Sequence, residues 1–233
     1  MGKLKNLGSK LLAGPYVIWM LLFTVIPLGL IIYNGFTNSD GRFTFKYVAA
    51  IADPVNAKPL LLSFEMSLIV TVVCLLLAFP LAVILSKYST DKNSFIVMIF
   101  ILPMWMNFML RTLAWRLILL NNGFLNQFLT MLGLSKVYLM NTKAAIIFGT
   151  AYDYFPFMVL PIYNAVVKID KDVINAAKDL GATNSVVLRK IILPLSVPGI
   201  VSGITMVLVP SMSEFVIADM LGGGKIYLIG NAI

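Results

Sequence analysis

Few side chains in this sequence could do chemistry, and most of them lie inside apolar runs. Asp153 stands in Tyr152-Asp153-Tyr154-Phe155-Pro156, near the centre of an apolar stretch. A carboxylate at bilayer depth costs about 2.5–3.5 kcal/mol on insertion scales, so it must face a partner or a water-filled path. It either pairs with Arg111 or Arg116, or bonds a neighbouring hydroxyl, or forms a transient site for a cationic solute. In the last case Tyr152, Tyr154 and Phe155 offer ring faces that attract ammonium groups. Glu214 and Asp219 read as solvated acids at the outer end of another apolar run, or as groups that draw cations towards an entrance. Trp19, Trp105 and Trp115 read as interface anchors or packing residues.

Other chemistries are poorly supplied. The chain has no histidine and one cysteine, Cys74, so it holds no His/Cys metal site, no histidine base and no intrachain disulfide. Gly222-Gly-Gly-Lys225 invites a phosphate-loop reading and fails it. The position five before the last glycine is Asp219, and Ile226 follows the lysine where Ser or Thr would hold Mg²⁺. An intramembrane enzyme would need acids, bases or ligands gathered at one depth, and Asp153 with scattered tyrosines does not supply them.

The elements that hold these residues are membrane spans. With 60% hydrophobic and 12% charged residues and a mean hydropathy of +0.93, the composition is that of an integral membrane protein. The net charge of +8 comes from basic residues scattered between apolar runs, which marks topology rather than nucleic-acid binding. Five spans are predicted, at about 11–36, 66–86, 95–111, 144–166 and 191–212, each of roughly the 20 residues that a hydrocarbon layer requires. The first is too long for a signal peptide and lacks a cleavage site. The loop 37–63 carries Phe43, Phe45 and Tyr47, which suit an interface. With the N-terminus in the cytoplasm, ten of the eighteen basic residues fall inside, crowded in short loops at Lys87, Lys92, Lys168, Lys171, Lys178, Arg189 and Lys190. Pro156, Pro161, Pro194, Pro198 and Pro210 lie within or beside spans and bend them.

One polar interruption, 168–190, separates the last two spans. Ile169, Val173, Ala176, Ala177 and Leu180 recur on one helical face, predicting a short amphipathic helix outside the bilayer. Asp170 and Asp172 suit its first turn, Lys178 its last, and Gly181 the left-handed residue that ends it. Thr183 offers the N-cap of a second helix through Val187, Leu188, Ile191 and Ile192.

This loop resembles the EAA loop of binding-protein-dependent ABC importer permeases. Ala176-Ala177, Gly181, Ile191, Leu193 and Pro194 stand at its register, with Asn175 where the pattern has Glu. Arg111-Thr-Leu-Ala-Trp115 with Leu119, Gly123 and Asn126, then Pro161-Ile-Tyr163, and Asp219-Met-Leu-Gly-Gly223 with Leu228-Ile-Gly-Asn231, narrow the likeness to the PotB-type permeases of spermidine/putrescine importers. It covers most of 60–233; the first sixty residues resemble the family mainly in hydropathy.

The resemblance implies an all-α polytopic bundle of the type I ABC importer permease fold. Residues 1–59 would be an N-terminal span and extracytoplasmic loop, and 60–233 the permease domain with its coupling loop at 168–190. A sixth span belongs to the family pattern and is absent from this sequence. The implied protein is a non-enzymatic inner-membrane subunit that carries polyamines into the cytoplasm. Asn175, Ala176, Ala177, Asp179, Gly181, Ala182, Leu193 and Pro194 would contact an ATPase. Asp153, Tyr152, Tyr154, Phe155, Arg111, Trp115, Glu214 and Asp219 would line the substrate pathway. The implied partners are a second permease (PotC-type), two ATPase subunits (PotA-type) that carry ATP and Mg²⁺, a polyamine-binding protein (PotD-type) and membrane lipid. No cofactor, metal or nucleic acid is expected on this chain. Related permeases import phosphonates, thiamine or metal ions, and a membrane scaffold is the reading outside transport.

Overall fold

The computed structural model describes residues 14–38, 41–87 and 102–232. The chain divides into two compact units, Met1–Ala57 and Lys58–Ile233. In the first, helix α1 (Gly14–Gly35) is apolar on every side and long enough to cross a membrane, with none of its most apolar stretch buried. Leu21–Val25 take a π-helical turn just before Pro27, where a missing amide N–H already relaxes the helical ladder. Beyond it Phe36, Phe43 and Phe45 form an aromatic triad with ring centroids 5.0–5.8 Å apart. The expected interfacial rings Phe43, Phe45 and Tyr47 are all exposed.

The rest is helical: α2 (Pro54–Lys87), α3 (Phe108–Leu119), α4 (Phe124–Met131), α5 (Lys143–Val167), α6 (Lys171–Asp179), α7 (Asn184–Met212), α8 (Val216–Gly222) and α9 (Ile229–Ala232). Among the described residues α1, α2, α5 and α7 are long and apolar enough to span, and the only strand-like pairing is one isolated bridge, Thr37–Phe43. Two boundaries depart from the sequence reading. Helix α2 begins at Pro54 rather than Met66, since Pro at a first helical position gives up no hydrogen bond. Helix α7 begins at Asn184 rather than Ile191, because the second helix of the polar loop continues into the span through a π-helical turn at Leu188–Ile192.

Of the third expected span, 95–111, residues 95–101 lie outside the described residues. Its described part is broken. Residues 102–105 are helical, the chain then turns, and Asn107 starts α3 afresh by accepting a hydrogen bond from Met109 N–H at 2.9 Å.

Helices α5 and α7 pack on small residues. A Cβ built on Gly199 would lie 2.6 Å from Ala165 Cβ and from the Pro161 carbonyl oxygen, and one on Gly203 would lie 2.8 Å from Met158 Sδ. With Ser196 and Val207 these glycines form one stripe against α5, and all four are buried. Close approach of this kind replaces the hydrophobic drive that is absent between helices in lipid. Met158 and Ile162 of α5, Val207 of α7 and Val70, Cys74 and Ala78 of α2 form the main core. A second cluster gathers Ile217, Ala218 and Leu221 of α8 beneath Met66, Leu119 and Ile146.

Candidate functional site

The polar loop folds as the sequence indicates, helix, glycine turn, helix, and local hydrogen bonds fix both ends of the first helix. Asp170 caps α6 by accepting from Asp172 N–H at 2.9 Å, and Asp172 and Lys178 occupy the first and last turns where the helix dipole favours their charges. At the far end Gly181 has φ +83°, Gly181 N–H donates to the Lys178 carbonyl at 2.8 Å and Ala182 N–H to the Ala177 carbonyl at 3.0 Å. That pair of bonds is a Schellman turn, which fixes the direction in which the chain leaves the helix. Thr183 sits at the expected N-cap of α7, but its side chain makes no capping bond.

The packed face of α6 is not the one that the periodicity suggests. Ile174 and Ala177, with Ile169 and Ala182 on either side, pack against the core. Val173, Ala176 and Leu180 instead form an exposed stripe, and Leu180 is 90% exposed. Ala177 belongs to both faces by position, so the repeat was real while its orientation was turned by the bundle. The outer stripe ends at Gly181, around whose Cβ position nothing lies within 4 Å. The result is an exposed apolar ridge on a helix whose two ends are fixed by local hydrogen bonds. Asn175 and Asp179 are exposed beside it, whereas Leu193 and Pro194 lie in α7 and are also exposed.

The charged residues resolve into two pairs, one at the middle of α5 and one that reaches the turn between α7 and α8. Arg111 Nη1 lies 3.2 Å from Asp153 Oδ1, and both side chains are more than nine-tenths buried. Arg116, the other candidate partner, is exposed. Thr112 Oγ1 is 3.5 Å from Asp153 Oδ2 and donates at 2.9 Å to the Phe108 carbonyl. Arg111 Nε and Nη1 and Asp153 Oδ1 find no hydrogen-bond partner among the described residues, so the pair is held by charge more than by aligned bonds. The neighbouring Tyr154 hydroxyl donates to Glu214 Oε2 at 3.1 Å. Glu214 is therefore not the freely solvated acid of the sequence reading. Its Oε1 also accepts from Val216 and Ile217 N–H at 3.0 and 3.2 Å, capping α8. Asp219 is exposed.

The remaining expected pathway residues lie apart from these pairs. Trp115 packs edge-on against Phe148 and Tyr152, centroids 4.6 and 5.2 Å away, which makes it a packing residue here. Tyr152 and Phe155 line an apolar cavity of about 490 Å³ with Cys74 and Leu77, and neither Asp153 nor Arg111 lines it. The expected set thus divides into a buried charge cluster and an aromatic wall.

Two structural roles escaped the sequence reading. Asn126 is fully buried, donates from Nδ2 to the Leu120 and Val137 carbonyls at 3.3 and 2.9 Å, and accepts from Val137 N–H at 2.8 Å. Gly222–Gly224 end α8: Gly223 has φ +60° and lies against the Asn141 side chain, while Asn141 N–H donates to the Leu221 carbonyl at 2.9 Å. The second had a signal, since three glycines after an apolar helix mark a C-terminus as readily as a phosphate loop. No group of three or more metal-ligating side chains occurs among the described residues.

Comparison with known proteins places this geometry. A family model described as the inner membrane component of binding-protein-dependent transport systems matches residues 14–233. The chain is 37% identical over 223 residues to the spermidine/putrescine transport system permease protein PotB of Salmonella typhimurium strain LT2, covering 92% of this chain and 78% of that protein. It is 36% identical over 223 residues to PotB of Escherichia coli K12, with 92% and 81% covered. It is 28% identical over 227 residues to the inner membrane ABC transporter permease protein YdcU of the same strain, with 91% and 72% covered. Among solved structures, a chain of a bacterial ABC transporter that imports the acidic polysaccharide alginate superposes with a TM-score of 0.61 at 20% identity, over 96% of this chain and 78% of that one. That likeness shows a shared fold.

Proposed function

This chain belongs to the family of inner membrane components of binding-protein-dependent transport systems, and on that premise we propose that it is the polyamine-translocating permease subunit of an ATP-driven importer. It is a multi-pass membrane protein with the bundle of a type I ABC importer permease. The observation that carries the coupling role is the outward ridge Val173–Ala176–Leu180 on a helix fixed by the Asp170 cap and the Gly181 turn. A rigid lever with an apolar tip transmits displacement, whereas a flexible loop would absorb it. The N-terminus and α6 then face the cytoplasm, where two PotA-type subunits bind ATP and Mg²⁺. A PotC-type permease completes the pathway, and a PotD-type protein delivers substrate from outside. This chain itself catalyses no reaction.

The substrate class agrees with the charge cluster. Asp153 and Glu214 supply two carboxylates against the single guanidinium of Arg111, an excess of negative charge between the middle of α5 and the end of α7 that favours a cation over an anion. Closure of the ATPase pair draws the levers together and biases the bundle between inward-open and outward-open arrangements, a two-state equilibrium set from outside the membrane. Proteoliposomes holding the whole complex test the proposal. ATP-dependent accumulation of labelled spermidine or putrescine is the expected result. A complex whose ATPase is stimulated by a phosphonate, thiamine or metal-ion-loaded binding protein, with no polyamine uptake, would overturn the substrate assignment.

A further inference from the structure

A cavity of about 680 Å³ lies where α2 ends, α5 ends and α7 begins, roofed by α6. Three lysines from distant parts of the sequence line it: Lys87 in the last turn of α2, and Lys171 and Lys178 seven positions apart on one side of α6. Among the described residues none of the three, all exposed, has a carboxylate within 4 Å, and no Asp or Glu lines the cavity. The acids of α6, Asp170, Asp172 and Asp179, lie outside it. Its other polar lining is neutral and rich in donors, Ser86, Asn175, Asn184 and Ser185.

Asn184 and Ser185 are also the first residues of α7, a helix of 29 residues. The first helical hydrogen bond runs from Val187 N–H to the Thr183 carbonyl, so the three preceding amides have no partner within the helix, and the Thr183 side chain does not cap them. An uncapped helix start carries partial positive charge and N–H groups directed at an incoming anion. Here it opens into the cavity that already holds the three lysines. Val83, Val166 and Ile192 make the opposite wall apolar.

We infer that this cavity is a phosphate-binding site, at which a phosphate group straddles Lys87 of the bundle and Lys171 and Lys178 of α6. The position at the ends of three helices, beside an apolar wall, suits the headgroup of an anionic phospholipid. Free phosphate would use the same donors. Either occupant ties α6 to α2 and so stiffens the lever that the partner moves. The inference stands independently of which solute is transported.

The test is amine-reactive footprinting of the assembled complex in lipid nanodiscs, read by mass spectrometry, with exposed Lys190 as internal control. Labelling of Lys87, Lys171 and Lys178 slows about ten-fold, relative to Lys190, when the ligand stands at roughly ten times its Kd. Slowing in phosphatidylglycerol discs but not in phosphatidylcholine discs supports a lipid headgroup. Slowing in phosphatidylcholine discs on adding inorganic phosphate supports a soluble source. Lys87→Gln together with Lys178→Gln abolishes protection of Lys171, while Lys→Arg at the same positions keeps it. Equal labelling under all conditions, protection that extends equally to Lys190, or protection that survives the double Gln variant overturns the site.

Discussion

Arg111 and Asp153 meet at 3.2 Å inside the bundle and join α3 to the middle of α5. The contact couples a short helix that starts at an Asn107 cap to a membrane span, and it fixes the only carboxylate buried at mid-depth among the described residues. Its hydrogen bonds are incomplete, so it holds by charge and is open to competition from another cation.

Asp153→Asn strands a buried guanidinium. The expected cost is about 3–5 kcal/mol of stability, read as a lowered melting temperature in detergent, together with weakened uptake. Adding Arg111→Met restores the melting temperature and leaves uptake impaired. Uptake recovered along with stability would show the pair to be structural alone.

Gly181→Val meets no neighbouring atom, so its whole penalty is backbone strain at φ +83°, about 1–2 kcal/mol. The variant inserts normally, but the complex that carries it hydrolyses ATP without transport. Gly181→Asn, which takes the left-handed conformation at low cost, keeps most coupling. Comparison of ATPase and uptake rates in proteoliposomes checks both, and a Val variant that transports fully contradicts the lever.

Gly203→Leu drives a side chain into Met158 and the α5 backbone, where a Cβ alone is already at 2.8 Å. Loss of the packed α5–α7 pair is expected, seen as aggregation in size-exclusion chromatography, whereas Ser202→Leu on the exposed side of the same turn leaves the elution unchanged.

Much of this was legible in the chain. The polar loop announced itself through Asp170, Lys178 and Gly181, because caps and dipole partners act within one turn and need no tertiary information. The α5–α7 interface also had a signal in Gly199-Ile-Val-Ser-Gly203, a pattern of small residues four apart that brings membrane helices close. What stayed hidden depended on neighbours distant in sequence. Periodicity found the apolar positions of α6, but only the bundle decides that Ile174 faces inward and Leu180 outward. Glu214 looked solvated because the bond it accepts from Tyr154 joins residues sixty positions apart, although its cap on α8, two and three positions away, was a local signal. Arg111 and Arg116 were equivalent partners for Asp153 until α3 was oriented.

Leu180 gives the most direct test of the coupling account. Being 90% exposed, it contributes little to the fold, and Leu180→Glu is expected to shift stability by less than about 0.5 kcal/mol. It should weaken retention of the ATPase subunits by about thirty-fold, as loss of an interface anchor does. The measurement is co-elution of those subunits with the purified permease, wild type against Leu180→Glu, at matched melting temperature. Wild type that holds the ATPase and a variant that loses it is the predicted outcome. Equal retention by both, or none by the wild type, contradicts the claim that this helix hands the motor's motion to the membrane.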